Sequence, residues 1–199
     1  PVDTKVRSPK DGVEDTPRVI GYDASGVVDA VGSEVTLFNI GDAVYYAGDI
    51  TRSGTNAEFH LVDERIVGHK PVSLNHAQSA ALPLTTITAY EAFFDRLCID
   101  RDGASKGESI LIIGAGGGVG SIGIQLAKAA GLVVIATASR PETTLWVNEL
   151  GADHVVNHRE DIVKQVRDLG IEHVDHIAIF NDMSHWEAAV ELIRPQRGI

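Results

Sequence analysis

Residues 115–120 have the composition of a phosphate-binding loop. They read Ala-Gly-Gly-Gly-Val-Gly and lie between an apolar segment, residues 110–113, and a segment with helical periodicity. A pyrophosphate placed there meets free backbone N–H groups and the positive end of the helix dipole, and side chains would block its approach. This order of strand, loop and helix is the context that a dinucleotide fingerprint requires, although alanine stands in the first glycine place. A tight turn without a ligand is the alternative. We interpret the segment as a dinucleotide-binding loop whose contact residues are Gly117, Gly118, Val119 and Gly120.

The residues after the next predicted strand indicate which nicotinamide cofactor is bound. A carboxylate about 20 residues past the loop would bind the ribose 2′-hydroxyl of NAD, whereas an arginine accommodates the 2′-phosphate of NADP. This chain has Ser139 and Arg140 there, and its first carboxylate is Glu142. Arg140 can make a forked, charge-assisted contact, and Ser139 can donate its hydroxyl. The sequence therefore predicts NADPH, unless Ser139 only caps the next helix and Arg140 is solvated.

The elements that would hold this site alternate between strand and helix. The pattern predicts strands at residues 110–113, 132–138, 154–157 and 176–180. Helices are predicted at 119–130, 141–150 and 162–169, and a fourth begins at a capping box formed by Ser184 and Glu187. This alternation is typical of a parallel, doubly wound sheet.

The first part of the chain has a different pattern. Glycine turns separate short β segments as far as about residue 70, and residues 42–46 and 57–62 are predicted strands. Short strands with frequent turns favour a small barrel or an irregular sandwich. Asn75 is predicted to cap a short helix that Pro83 ends, and residues 85–97 form a longer helix.

Composition limits the class of protein. The net charge of −11 argues against a nucleic-acid partner, and no apolar run is long enough for a membrane helix. The single cysteine, Cys98, excludes an intramolecular disulfide and is expected to be a packing residue on the longer helix. A cytoplasmic setting is expected.

Nine short segments of the chain have a characteristic order and spacing: residues 1–7, 21–28, 38–44, 54–58, 82–83, 88–90, 115–120, 151–153 and 156–158. Together they resemble the medium-chain dehydrogenase/reductase family, on its zinc-free quinone oxidoreductase side. The resemblance implies a partial GroES-like β-barrel catalytic domain over residues 1–83, followed by a Rossmann domain over 84–199. It also implies that about the first 40 and roughly the last 100 residues of a complete member are missing, and that the full-length protein is a homodimer or tetramer.

The resemblance also assigns individual residues. Thr88 corresponds to a position beside the nicotinamide, and we expect His158, at the end of the third strand, to lie beside the adenosine phosphate. In zinc members a histidine follows Gly21 and a cysteine stands four residues before Thr88; this chain has Tyr22 and Leu84. Neither side chain suits a catalytic zinc site, so no metal is expected.

A zinc-free site favours a particular hydride acceptor. A quinone or activated enone accepts hydride without a Lewis acid, because the developing charge is delocalised or taken up by solvent. The expected function is NADPH-dependent reduction of such a small molecule, with Tyr22 as a candidate hydrogen-bond donor. The alternatives are an alcohol or aldehyde dehydrogenase of the same fold and a non-catalytic NADPH-binding relative.

Overall fold

The computed structural model describes residues 2–8, 12 and 16–199 of the chain. Pro1, which begins the first segment of the family resemblance, lies outside them. The chain forms two compact units, Pro1–Leu84 and Thr85–Ile199. No helix in the described part of the chain is long and apolar enough to cross a membrane.

The first unit contains a three-stranded antiparallel sheet in the order β1-β2-β3. Its strands are β1 (Asp23–Val27), β2 (Ala43–Ala47) and β3 (Val67–His69). Its helices are α1 (Val2–Arg7) and α2 (His76–Ala80), with a 3-10 turn at Glu64–Ile66 before β3. Asn75 caps α2 as predicted, within a capping box that it forms with Gln78.

The predicted strand over residues 57–62 is wrong. These residues have no regular structure, and the apolar pair that suggested alternation, Phe59 and Leu61, is 74% and 83% exposed. An alternating pattern becomes a strand only where a neighbouring backbone pairs with it, and the three strands of this sheet leave the segment without one.

Two predictions about the connecting helix also need correction. Pro83 does not end a helix but begins α3 (Pro83–Tyr90), where its fixed φ and missing N–H suit the first turn. The helix then continues as a π-helical segment, Glu91–Arg96. Cys98 lies past its end in the left-handed region at φ 52° and is exposed, so it is not a packing residue.

The second unit is built on a four-stranded parallel sheet in the order β6-β5-β4-β7, which confirms the predicted fold class. Its strands are β4 (Ser109–Ile113), β5 (Val133–Thr137), β6 (His154–Val156) and β7 (His176–Ile179). Its further helices are α4 (Gly118–Ala129), α5 (Pro141–Glu149), α6 (Ile162–Asp168) and α7 (Trp186–Leu192).

Strand β4 is central to both hydrophobic cores of this unit. Ile110 and Ile112 face one core and Leu111 and Ile113 face the other, and all four are fully buried. Each such side chain contributes about 1.5–3 kcal/mol on burial. This double burial explains why the strand is wholly apolar.

The start of the last helix differs from the prediction. Ser184 does not open a capping box; the carboxylate of Asp182 accepts from the backbone N–H of Ser184 and begins a 3-10 turn, Met183–His185, before α7. Aspartate is a favoured N-cap residue, and Asp182, directly before the turn, takes the capping position.

The strand order locates a binding crevice. β5 and β6 lie on one side of β4, and β7 lies on the other. In doubly wound sheets, ligands bind beyond the carboxyl ends of the strands at the point where the winding reverses. That point is the end of β4, from which the glycine-rich loop leaves.

Candidate functional site

The glycine-rich loop is fixed in a defined conformation by two hydrogen bonds. The backbone N–H of Gly114 donates to the hydroxyl of Thr137, at the end of β5, over 3.0 Å. The N–H of Gly117 donates to the carbonyl of Gly114 over 3.1 Å. Gly114 has a left-handed φ of +81°, so the conformation that needs glycine falls one residue before Ala115, and sequence reasoning did not single Gly114 out.

The start of α4 presents backbone donors. Gly117 is its N-cap in extended conformation, and as a glycine it supplies no side-chain cap to this helix end. The first turn of a helix has N–H groups without intrahelical partners, and they carry the positive end of the dipole. The amino-terminal end of α4 can therefore bind an anionic group.

The glycines of the loop serve two different needs. A Cβ on Gly120 would lie 2.5 Å from Cα of Ala115, so only glycine allows this close approach of helix and strand. Gly116, Gly117 and Gly118 are instead exposed, and side chains there would fill the space above the helix end. Together they form an open cradle over the amino-terminal end of α4, where the backbone of the loop is accessible to an anionic group.

Helix α3 contributes a residue to this cradle. A Cβ on Gly118 would meet the methyl group of Thr85 at 3.1 Å. Thr88, predicted from the family resemblance, lies one turn further along α3 and is exposed. Sequence reasoning missed Thr85, although its spacing of three residues from Thr88 puts both on one helix face.

Ser139 and Arg140, the residues predicted to bind a 2′-phosphate, come two and three residues after the end of β5. Arg140, not Ser139, is the N-cap residue of α5, and its carbonyl accepts from the hydroxyl of Thr143 over 2.9 Å. The guanidinium of Arg140 is 3.7 Å from the carboxylate of Glu142, and both side chains are mostly exposed. Such a solvated ion pair contributes little, so an incoming phosphate can replace the carboxylate.

His158 follows β6 and lies beside the same region. Burial lowers the pKa of its imidazole below the ordinary value of 6.5, and the positive charges of His185, Arg159 and Arg140 lower it further. Its Nδ1 is buried and has no hydrogen-bond partner among the atoms of the described residues. An orphaned buried nitrogen surrounded by cationic groups is suited to an anionic oxygen.

Tyr22 and Leu84, at the positions where zinc members have ligands, lie in the first unit, and Leu84 contacts the neighbour of Tyr22 in the sequence. The backbone N–H of Leu84 donates to the carboxylate of Asp23 over 2.7 Å, and burial raises the pKa of that carboxyl. Tyr22, beside it, is 2% exposed, and its hydroxyl accepts from the guanidinium of Arg18 over 3.4 Å. Over residues 2–8, 12 and 16–199, no three His, Cys, Asp or Glu side chains are grouped to hold a metal.

These features define a Rossmann-like α/β unit preceded by a GroES-like unit, and comparison with known proteins agrees. The model of the alcohol dehydrogenase GroES-like domain matches residues 1–73, and the model of the zinc-binding dehydrogenase matches residues 118–198. The chain belongs to the medium-chain dehydrogenase/reductase superfamily, as its sequence motifs predict.

Three relatives illustrate the relationship. A zinc-type alcohol dehydrogenase-like protein of Staphylococcus aureus strain MSSA476 is 49% identical over 98% of this chain and 58% of its own length. A crystal structure from Rhizobium etli CFN 42, named a zinc-dependent alcohol dehydrogenase, superposes with a TM-score of 0.90 at 52% identity, over 99% of this chain and 58% of that one. The crystal structure of Escherichia coli quinone oxidoreductase complexed with NADPH superposes with a TM-score of 0.81 at 28% identity. The match covers 98% of this chain and 59% of that one. The chain thus spans about 58% of the length of the curated relative that it matches.

Proposed function

We propose that this chain carries the cofactor site of an NADPH-dependent oxidoreductase that reduces a quinone or an activated enone without zinc. The observation that carries the proposal is the cationic group at the ends of β5 and β6, where Arg140 and His158 follow strands that end without a carboxylate. A carboxylate at the end of β5 would select NAD, and an arginine there accommodates the 2′-phosphate of NADP. The NADPH complex of the E. coli relative supports the choice.

The residues of the loop would bind and orient the cofactor. The first-turn N–H groups of α4, from Gly118 to Gly120, would bind the pyrophosphate, and Ser139 with Arg140 would bind the 2′-phosphate. Thr88 would lie beside the nicotinamide and limit its orientation. When bound, the cofactor supplies a hydride, and the protein supplies alignment and exclusion of water. Tyr22 would donate a hydrogen bond to the substrate.

The absence of zinc is a separate part of the proposal. Two of the relatives carry zinc in their names, whereas Tyr22 and Leu84 stand at the two ligand positions that fall within this chain. A phenol and an isobutyl group do not replace a histidine and a cysteine in a catalytic zinc site. Elemental analysis of the purified native protein tests this point directly. One tightly bound zinc per chain would contradict it and would favour alcohol oxidation instead.

The domain boundaries and the assembly are proposed with the function. We infer a catalytic barrel domain ending at residue 83 and a nucleotide-binding domain beginning at residue 84, in a cytoplasmic homodimer or tetramer. A GroES-like match over residues 1–73 supports the first boundary.

A turnover screen tests the proposed reaction. Oxidation of NADPH is followed with quinones, enones and aldehydes, using the full-length protein. Turnover with quinones or enones, and little with aldehydes, is the expected result. Aldehyde-only turnover would favour a dehydrogenase of the same fold, and tight NADPH binding without any turnover would favour a non-catalytic binding protein.

A further inference from the structure

A pair of histidines lies at the edge of the site proposed for the 2′-phosphate. The rings of His158, after β6, and His185, in the turn after β7, have their centroids 6.1 Å apart and stand at 70° to each other. The two strands are not neighbours in the sheet, so the turn after β7 must reach across the carboxyl ends of the strands between them. The fold thus brings His185 close to His158, although the order of the strands alone would place them apart.

The charged groups that act on the imidazole of His158 are cationic. Arg140 lies at the end of β5 and Arg159 lies next to His158, and both act on the imidazole of His158 together with His185. Four carboxylates belong to the same segments, and each has a partner. Glu142 pairs with Arg140, Glu160 accepts from the side chain of Asn157, Asp161 accepts from the backbone N–H of Lys164, and Asp182 accepts from Ser184.

The free protein disfavours a proton on His158. Burial and the neighbouring positive charges disfavour protonation of His158, and its buried Nδ1 has no partner within the described residues. A dianionic phosphate bound among these groups would instead favour protonation of the imidazole, because a negative charge within a few ångströms stabilises its protonated form. Binding of the phosphate and protonation of the pair therefore strengthen each other.

We propose that His158 and His185 form a proton-dependent part of the 2′-phosphate subsite, in which His185 is a specificity-determining residue. The inference rests on the proposed NADPH preference and adds a pH dependence to it. When the phosphate binds, one imidazole of the pair takes a proton from solvent and donates a charge-assisted hydrogen bond to a phosphate oxygen. Discrimination between NADPH and NADH should therefore increase as the pH falls.

Small nucleotides test the pair without requiring activity. The probes are 2′,5′-ADP, which carries the 2′-phosphate, and 5′-AMP, which lacks it. Calorimetry of each probe with the chain, in buffers of different ionisation enthalpy, measures both affinity and proton uptake. Between pH about 8.5 and about 6.5, where a free phosphate monoester stays mainly dianionic, affinity for 2′,5′-ADP should rise by up to about tenfold per pH unit for each proton taken up. The affinity for 5′-AMP should stay flat.

Variants of the two histidines test which imidazole takes up the proton when 2′,5′-ADP binds. His185→Gln should lose about fivefold or more in affinity for 2′,5′-ADP at the low end of the range, less at the high end, and most of the proton uptake. His158→Gln should act in the same direction. His154→Gln, at the amino end of β6, is the matched control and should retain the wild-type pH profile. Cooperative unfolding of each variant shows that it has folded.

The outcomes separate the two proposals. If 2′,5′-ADP binds no more tightly than 5′-AMP at any pH, the NADPH preference is wrong. If it binds more tightly but without proton uptake, or if His185→Gln matches the wild type, the NADPH preference stands and the role of the histidine pair is overturned.

Discussion

The N–H of Gly114 donates to the hydroxyl of Thr137 over 3.0 Å, which joins the start of the phosphate loop to the end of the neighbouring strand. Thr137 is 2% exposed, so water cannot easily replace it as the acceptor. This single contact fixes where the loop leaves the sheet, and it connects the loop to the strand after which Ser139 and Arg140 follow.

Replacing Thr137 by Val tests this contact. The variant keeps the shape of the side chain and removes the acceptor, so the N–H of Gly114 loses its partner. We expect a loss of about 1–3 kcal/mol in the free energy of unfolding, measured by denaturant titration. Thr137→Ser retains a hydroxyl and is the control. Equal stability of the Val variant and the wild type would show that the contact does not hold the loop.

Gly120→Ala should destabilise the fold by overpacking. The added methyl would lie 2.5 Å from both Cα of Ala115 and the carbonyl oxygen of Gly114, so helix α4 must move away from the loop. The expected cost is about 1–3 kcal/mol in the free energy of unfolding. Gly116→Ala is the matched control, because its methyl would meet Thr143 at an ordinary 3.5 Å. A similar loss in both variants would mean that close packing at Gly120 is not the cause.

Arg140→Ala should weaken the binding of NADPH but not that of NADH. The variant removes the guanidinium proposed to bind the 2′-phosphate, so NADPH should bind more weakly by about 1.5–3 kcal/mol and NADH should change little. Dissociation constants from fluorescence titration of both cofactors give the comparison. Arg167→Ala, which removes a guanidinium paired with Glu191 over 2.9 Å, is the control for loss of a charge. Equal weakening of both cofactors by Arg140→Ala would contradict the assignment.

Glu108 should make the stability of the fold sensitive to acid. Burial raises the pKa of its carboxyl, but hydrogen bonds from His176 and Arg197 outweigh burial and hold that pKa below the ordinary 4.5. A carboxyl with a depressed folded pKa stabilises the native state above its unfolded pKa, and this contribution is lost as the pH falls through the folded value.

The variant Glu108→Gln should therefore be less stable than the wild type at neutral pH, and the difference should shrink as the pH falls below about 4.5. Thermal unfolding across pH measures it, and Glu149→Gln, at an exposed carboxyl on α5, is the control. A difference that stays constant with pH would show that charge on Glu108 is not responsible.

The sequence by itself determined the succession of elements and the nature of the loop. The apolar run at residues 110–113 and the glycines after it predicted β4, the loop and α4, because these patterns reflect local hydrogen bonding and burial on two faces. The same local logic predicted the cap at Asn75 and failed at residues 57–62, since an alternating pattern cannot show whether a partner strand exists.

Only the tertiary structure decided which distant segments of the chain lie next to each other. The placement of β7 beside β4, which locates the crevice, depends on packing between strands far apart in sequence. The approach of His185 to His158 and the contact of Thr85 with the loop have the same origin. Periodicity records which face of an element is buried, and it carries no information about the neighbour that buries it; long-range packing supplies that choice.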